Sequence, residues 1–274
     1  MPPGSSYGGR KSIFEEVRPL SLMESIVIGV IQGLTEVWPV SADGHLLMIN
    51  YFFGFQSPLG LGFIFRAALI LAVVAGFARE IWHGIRNPNW KHFSYYLIAA
   101  LPVLLVLALQ ALFFPDALDL IWLVVPLLVA NGVLLVVGDG FQKRKETGDV
   151  TYWGAIFVGL VQVFAVLPGL SPLALALFGT LIWGLRREEA VKFAFLVSLP
   201  VNILILGFQM LDLYRHKGTI PLSMEELAGG IAAFIAATLG IYFFKKLALH
   251  KLTHFAIYCI SVAILLFILL ILGL

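Results

Sequence analysis

The hydrophobic pattern of the chain is dominated by apolar runs that are long enough to cross a lipid bilayer. A helix needs about 20 mostly apolar residues to span the hydrocarbon layer. Each run of that length therefore predicts one transmembrane helix. Six such runs occur, at about 60–78, 93–114, 118–138, 190–212, 226–248 and 253–273.

Two further apolar stretches, at about 22–54 and 151–185, are too long for one span and are interrupted in the middle. The first is broken between Pro39 and His45, and the second between Pro168 and Pro172. Irregular backbone is tolerated at membrane depth only where it is buried in protein or lines a watery cavity. Each stretch therefore predicts a re-entrant hairpin, made of a helix, a break and a second helix. The alternative is that glycine and proline only kink two ordinary helices.

The basic residues of the loops predict the orientation, because short cytoplasmic loops are enriched in Lys and Arg. With both broken stretches re-entrant, twelve basic residues fall on the side that we expect to be cytoplasmic: Arg79, Arg86, Lys91, Lys143, Arg144, Lys145, Arg186, Arg187, Lys192, Lys245, Lys246 and Lys251. Five fall on the other side: Arg10, Lys11, Arg18, Arg215 and Lys217. Both termini are then outside, and the two hairpins enter the cell membrane from opposite sides.

Opposite entry of two hairpins predicts an inverted repeat, with halves at about 21–138 and 151–274. The segments Gly29–Gln32 and Gly159–Gln162 are similar, and each is followed by a proline and a serine. Inverted repeats with broken helices that meet near the bilayer midplane are typical of secondary transporters. We expect residues 1–20 to be a flexible tail and the remainder to be one integral membrane domain.

Composition supports the membrane class and excludes others. Of 274 residues, 60% are apolar and 12% are charged, and the mean hydropathy of +0.97 exceeds what a soluble domain could bury. A net charge of only +2 gives no electrostatic case for a nucleic-acid partner. The single cysteine, Cys259, allows neither a disulfide framework nor a cysteine-ligated metal site, so we expect it to pack in the core.

The polar segment at the first break carries the candidate chemistry. A carboxylate such as Glu36 is costly in the hydrocarbon layer unless it is paired, protonated or bound to a cation, so it can serve as a base or a metal ligand. Gln32 lies four residues earlier and would share its helix face. Ser41 or Asp43 can cap the next helix.

The N-terminus of that next helix offers free N–H groups, including that of Gly44, as a seat for a phosphate. His45 can shuttle protons near neutral pH or attack phosphorus itself. The alternative is that Asp43 is only a cap and His45 only a hydrogen-bonded core histidine. Five polar residues within fourteen positions of a membrane protein favour a functional site.

Arg66 is the one basic residue that we cannot assign to a loop, since it has apolar residues on both sides. The planar guanidinium suits a phosphate, with Glu36 and Asp43 as the nearest carboxylates by topology. The alternatives are snorkelling to the interface and a structural Arg66–Asp43 pair. Isolated polar residues are expected to form interhelical hydrogen bonds; these are Asn131, Asn202 and Gln209.

The segment from Gln32 to His45 resembles the first signature of the undecaprenyl-pyrophosphate phosphatase family of the bacitracin-resistance type. In that family, Glu or Gln is followed after three residues by Glu and then by Pro-Val-Ser-Ser-Thr-Gly-His. Further similar landmarks occur in the same order: Leu71 to Val74, Gly184, Arg187, Phe193 to Phe195, Pro200 and Phe255 to Tyr258. The resemblance runs from about residue 23 to the end of the chain.

The resemblance implies six spans with two oppositely inserted hairpins, and hydrolysis of undecaprenyl diphosphate to the monophosphate. This reaction recycles the carrier lipid for peptidoglycan synthesis at the outer face of the membrane, with Mg²⁺ or Ca²⁺. Glu36 and Gln32 match the family's acidic pair, and Glu36 is then also a metal ligand. Ser41 matches the first serine and His45 the catalytic histidine. Ser171 matches a serine of the second, phosphate-binding signature.

The second signature departs from the family pattern, which is Pro-Gly-x-Ser-Arg-Ser-x-x-Thr. Pro172, Leu173 and Ala176 replace its arginine, second serine and threonine. Arg66 lies where the family usually has glutamine, and we hypothesise that it supplies the missing charge. Two functions therefore stay open: a polyprenyl-diphosphate phosphatase with a modified site, and a non-hydrolytic relative that binds or translocates a lipid phosphate. Lipid length, nucleophile and homo-oligomerisation are not determined by the sequence.

The departures also touch the first signature and the late landmark. Ala42 and Asp43 replace Ser-Thr, and Cys259 replaces the arginine that usually follows the late tyrosine. The candidate phosphate-binding set is therefore Arg66, Ser171, Asp43 and Gly44, and the candidate catalytic set is Glu36, His45, Gln32 and Ser41.

Overall fold

The computed structural model describes residues 20–54, 59–113, 121–142, 150–217, 223–248 and 251–273. Within these ranges every regular element is helical. The helices are α1 Leu22–Val37, α2 Ala42–Phe53, α3 Leu59–Gly76, α4 Ala78–Arg86, α5 Trp90–Phe113, α6 Ile121–Gln142, α7 Tyr152–Gln162 with a 3₁₀ turn at Val163–Val166, α8 Pro172–Trp183, α9 Arg187–Lys217, α10 Met224–Ala248 and α11 Thr253–Ile271.

Five of these helices, α5, α6, α9, α10 and α11, are long and apolar enough to cross a membrane, and α3 with α4 makes a sixth span. The predicted all-α, polytopic membrane fold is therefore confirmed. The chain bends by 72° between α3 and α4. The short amphipathic helix α4 was not predicted, because it is too polar to extend the preceding apolar run. Nearly all of the predicted tail at 1–20 lies outside the described residues.

Both broken stretches form hairpins, so the alternative of kinked single helices is wrong. Leu46 and Ile49 of α2 pack against the cluster that contains Leu20, just before α1. In the second hairpin the ring of Trp183, at the end of α8, lies 5.8 Å from that of Phe157 in α7. In the second hairpin α8 thus returns toward the start of α7, where Gly154 faces Trp183, and in the first hairpin α2 packs on a cluster that includes Ile28 of α1.

One end of the helix bundle is fixed by contacts among four helix termini. Arg187 at the start of α9 donates to the carbonyl of Ala248 at the end of α10 (3.1 Å), and it forms a 2.7 Å ion pair with Asp139 near the end of α6. Tyr96, near the start of α5, has its ring centroid 5.0 Å from that of Phe193, near the start of α9. The starts of α5 and α9 and the ends of α6 and α10 therefore lie together.

The second hairpin enters the bundle at the end where these four helix termini lie, and the first hairpin enters at the opposite end. Tyr152 opens α7 beside Tyr95 at the start of α5, with ring centroids 4.9 Å apart, so the second hairpin enters at that end. Helix α1 instead packs with Gly29 against Gly229, close to the start of α10. The first hairpin consequently enters from the other end, as the loop charges predicted.

The packing of one half of the chain mirrors that of the other. Helix α1 packs on α10 and α7 packs on α5, so the first helix of each hairpin meets the second span of the opposite half. A Cβ on Gly29 would collide with the Gly229 carbonyl oxygen, and one on Gly159 would lie 2.7 Å from the Ala99 carbonyl oxygen. The two similar sequence segments therefore make equivalent close helix contacts, where small residues let backbones approach. The division at about 138 and 151 stays a prediction.

We expect Gly29→Ala to lower the free energy of unfolding by about 2 kcal/mol, because the added methyl group collides with backbone that cannot move aside. The matched control is Gly62→Ala in α3, where a Cβ would meet nothing within 4 Å. This control should be neutral or slightly stabilising, since alanine is the better helix former. Denaturation in SDS measures both variants. Equal effects of the two substitutions would contradict the close α1–α10 contact.

Candidate functional site

The two hairpin breaks touch each other inside the bundle. The Oγ atom of Ser41 accepts a hydrogen bond from the backbone N–H of Gly44 (3.3 Å) and another from that of Gly169 in the second break (3.0 Å). Ser41 has φ of 67°, and it is the only non-glycine residue of the described ranges with a positive φ. This strained conformation of an L-residue is held by one hydrogen bond within the first hairpin and one that joins it to the second.

Asn131 of α6 connects the same two breaks. Its Nδ2 donates to the carbonyl oxygen of Pro39 (2.8 Å), and its Oδ1 accepts from the backbone N–H of Ser171 (2.8 Å). The side chain is completely buried. Asn131 therefore provides hydrogen-bond partners for irregular backbone that could not be left unpaired at membrane depth.

A cavity of about 140 Å³ lies beside the hairpins and is bounded by α3, α5 and α9. Two carboxylates of the first hairpin, Glu36 and Asp43, line it together with Arg66 of α3. Gln162 of the second hairpin and Asn202 of α9 add two amides. The rest of the wall is mainly apolar, so charged and polar groups from both halves converge on one small space within an apolar surround.

Local structure explains how the two carboxylates reach the cavity. The Nε2 of Gln32 donates to Glu36 Oε1 (3.0 Å), which fixes the glutamate from one helical turn away. Ser41, and not Asp43, caps α2. The alternative that Asp43 is only a cap is therefore wrong, and Asp43 lines the cavity instead.

Arg66 has a neutral partner rather than an acidic one. Its NH1 donates to Asn202 Oδ1 at 2.7 Å, and its buried Nε has no hydrogen-bond partner. Among the described residues it forms no ion pair, although its charge acts on both Glu36 and Asp43. Neither snorkelling nor a structural Arg66–Asp43 pair describes this arrangement. The guanidinium keeps a donor and a charge available to an anion in the cavity.

The structure does not bring His45 to this cavity, contrary to our expectation that it would share a pocket with Glu36. Its Nδ1 lies 2.8 Å from the carbonyl oxygen of Ser41, and its Nε2 lies 2.8 Å from the hydroxyl of Tyr258 in α11. A carbonyl can only accept, so Nδ1 carries the proton and Nε2 accepts from Tyr258. Both ring nitrogens are therefore engaged in linking the first hairpin to α11.

Four other predicted residues also lie outside the cavity lining: Gln32, which reaches it only through its hydrogen bond to Glu36, and Ser41, Gly44 and Ser171. The Gly44 N–H is bound by Ser41, and the Ser171 Oγ accepts from the N–H of Ala174 (3.3 Å). The Gly44 N–H of the predicted phosphate seat is thus already bound within the protein. Two positions where the arginine and second serine of the second signature are missing, Pro172 and Leu173, do line the cavity.

The interhelical hydrogen bonds predicted for Asn131 and Asn202 are confirmed. The Oε1 of Gln209 is buried and has no partner, so the prediction for this residue fails within the described part of the chain. Gln162 and Tyr258 were not predicted as polar partners of the site. The sequence did contain a signal for Gln162, because this residue ends the segment Gly159–Gln162 just as Gln32 ends the similar segment of the first half.

The family model described as bacitracin resistance protein BacA matches residues 25–265. A protein of Methanococcus maripaludis named undecaprenyl-diphosphatase is 32% identical over 245 residues, which is 86% of this chain and 96% of that protein. Its namesake in Methanococcus vannielii is 33% identical over 246 residues, with 86% and 96% covered.

A third relative is similar to the chain at a comparable identity and coverage. Undecaprenyl-diphosphatase 1 of Shouchella clausii is 32% identical over 274 aligned residues, covering 91% of this chain and 96% of that protein. The similarity to each of these proteins therefore extends over nearly the whole of both chains.

We expect Ser41→Ala to lower the free energy of unfolding by about 2 kcal/mol, because the buried N–H groups of Gly44 and Gly169 lose their acceptor. Ser171→Ala is the matched control, since its hydroxyl accepts only one N–H of its own helix, and it should cost about 1 kcal/mol. Unfolding in SDS compares the two. A larger loss for Ser171→Ala would contradict the bridging role of Ser41.

Proposed function

The chain belongs to the bacitracin resistance protein BacA family, and we propose that it hydrolyses undecaprenyl diphosphate to undecaprenyl monophosphate, which recycles the carrier lipid for cell-wall synthesis. The observation that carries the proposal is the convergence of Glu36, Asp43 and Arg66 on one cavity inside a membrane protein. Relatives named undecaprenyl-diphosphatase support it. With a candidate base retained in Glu36, hydrolysis is favoured over binding or translocation of a lipid phosphate alone.

The charges of the cavity fit a divalent cation. Two carboxylates outweigh one guanidinium, so the cavity by itself would repel a diphosphate. Glu36 and Asp43 offer the oxygen ligands that Mg²⁺ and Ca²⁺ prefer. No group of three or more His, Cys, Asp or Glu side chains suited to a metal occurs in the described ranges, so the remaining ligands would come from other oxygens and the substrate. When bound, the cation would offset the charge of the phosphates.

In the proposed reaction a water molecule attacks the terminal phosphorus, and the bond from that phosphorus to the bridging oxygen breaks. Inorganic phosphate and the lipid monophosphate are the products. Glu36 accepts the proton of the attacking water, while Gln32 holds the carboxylate in place through its 3.0 Å hydrogen bond. Arg66 binds phosphate oxygens and stabilises the charge that spreads over them in the transition state. His45 lies outside the cavity lining and links the first hairpin to α11, which supports water rather than the imidazole as the proposed nucleophile.

The lipid tail would follow the apolar wall of the cavity. The segments of α3, α5 and α9 that surround the polar groups contribute aliphatic side chains such as Leu69, Val103, Leu107 and Ile205. A polyprenyl chain that lies among these helices keeps its hydrocarbon out of water while its diphosphate reaches the carboxylates.

We also propose that Arg66 replaces the arginine missing from the second signature. Pro172, which occupies the position of that arginine, lines the same cavity as Arg66. A positive charge brought from α3 could therefore act on a phosphate in the same space. Asn202 holds the guanidinium without neutralising it.

The orientation is part of the proposal: both termini lie outside the cell membrane and the site works toward the outer face. The contacts of Arg187 with Asp139 and Ala248 support it, because they gather basic helix termini at one end of the bundle. Lys245 also binds at that end, through the carbonyl of Gly76 at the end of α3. We further propose that the two halves form an inverted repeat.

We expect Glu36→Gln to reduce phosphate release from undecaprenyl diphosphate by about 100-fold or more, because the amide cannot accept the proton of water. The assay uses purified protein with Mg²⁺ and follows inorganic phosphate. Glu189→Gln, which alters a loose 3.6 Å pair with Lys192 and lies outside the cavity lining, is the control and should stay at the wild-type rate. Wild-type protein that binds the lipid but releases no phosphate would favour a non-hydrolytic carrier.

We expect Arg66→Gln to reduce phosphate release by about 100-fold, since one charge that stabilises the transferring phosphoryl group is lost. Adding Pro172→Arg to this variant returns an arginine to the same cavity and should restore part of the rate. Arg66→Lys should lie between the wild type and Arg66→Gln, because it keeps the charge without the planar fork. Turnover and lipid binding that are unchanged in Arg66→Gln would rule out the replacement.

A further inference from the structure

Gln162 is a buried polar residue of the cavity lining that the proposed reaction does not use. It is the last residue of α7, just before the break of the second hairpin, and only 4% of its surface is exposed. Its Oε1 is buried and has no hydrogen-bond partner. An amide oxygen in that condition is unfavourable unless a donor or a cation binds it.

The sequence explains why the Gln162 side chain has no partner on its own helix. In the first half, Gln32 donates to Glu36, four residues further along the helix. In the second half the residue four positions after Gln162 is Val166, which offers no polar atom. Gln162 therefore occupies the equivalent place in its hairpin but lacks the acidic neighbour, and its side chain lines the cavity instead.

We propose that Gln162 Oε1 is a ligand of a divalent cation in this cavity, together with the carboxylates of Glu36 and Asp43. The inference rests on the proposed function for the presence of a cation, and it adds a ligand from the second hairpin. Two carboxylates and one neutral amide oxygen form an oxygen-rich set of the kind that Ca²⁺ and Mg²⁺ bind.

A cation suits this oxygen better than a protein donor does. Arg66 is the one basic residue among the described residues that line this cavity, and its NH1 donates to Asn202; its Nε has no partner, so it does not bind Gln162 Oε1 either. A single guanidinium also leaves the two carboxylates under-compensated in an apolar surround. A divalent cation supplies the missing charge and gives the amide oxygen a partner at the same time.

This ligand set has a consequence for the fold. Glu36 and Asp43 belong to the first hairpin and Gln162 to the second. A cation bound by all three would tie together the two hairpins, which already meet through Ser41 and Gly169. Because a ligand that binds only the folded protein stabilises it, cation binding should raise the melting temperature.

The test is direct binding of Mn²⁺, followed by electron paramagnetic resonance on the purified protein without lipid substrate. Gln162→Leu should weaken binding by about tenfold or more, and should lose most of the rise in melting temperature that the cation gives. Gln209→Leu is the matched control, because Gln209 Oε1 is also buried without a partner but lies outside the cavity. It should bind Mn²⁺ as the wild type does.

Gln162→Glu keeps an oxygen at the same place and adds a charge, so it should bind Mn²⁺ at least as tightly as the wild type. If melting in the presence of a chelator shows that Gln162→Leu does not fold, Gln162→Glu still tests the role of Gln162 as a ligand. Wild-type affinity in Gln162→Leu, weaker binding in Gln162→Glu, or an equal loss in Gln209→Leu would overturn the inference.

Phosphate release, measured in parallel, separates this inference from the proposed function. If cation binding depends on Gln162 but the protein releases no phosphate, Gln162 is supported as a metal ligand and the proposed phosphatase activity is rejected. Release by the wild type, with unchanged Mn²⁺ affinity in Gln162→Leu, would support the enzyme and reject the ligand.

Discussion

The need to hydrogen-bond irregular backbone at membrane depth governs this structure. Two hairpins break inside the bundle, and each break exposes peptide groups that would cost several kcal/mol each if left unpaired in hydrocarbon. Asn131 binds one group from each break, and the Ser41 hydroxyl bridges from the first break to Gly169 in the second. The breaks are therefore stable only because they meet, and their meeting brings polar side chains of both halves to the centre of the protein.

This junction divides the polar residues of the first hairpin into two groups. Ser41 and His45 face the bundle and are fully engaged in holding it, the histidine through Tyr258. Glu36 and Asp43 face the cavity with Arg66. Residues that are close in sequence thus have different tasks: the first group builds the junction, and the second leaves its charges available to a substrate.

Arg66 is the residue that we propose takes the place of the arginine missing from the second signature. The second hairpin lacks the arginine of the family pattern and has Pro172 in its place, which suits the first turn of a helix. A guanidinium from α3 enters the same cavity, held by a neutral amide of α9. Electrostatic stabilisation depends on where a charge lies and not on which helix carries it. A guanidinium from α3 can therefore stabilise the proposed phosphoryl transfer as one from the second hairpin would.

The sequence alone determined the membrane class, the spans, the two hairpins and their opposite entry, because hydropathy, helix breakers and loop charges act locally along the chain. It also singled out Glu36, Asp43 and Arg66, since charge in a long apolar run requires a reason. Only the tertiary structure decided which side chains share a cavity: Gln162 lines it, and His45 does not. Successive side chains along a helix point about 100° apart around its axis. Which of them faces the cavity depends on how the helix is rotated when it packs against distant helices, and a local sequence pattern does not contain that information.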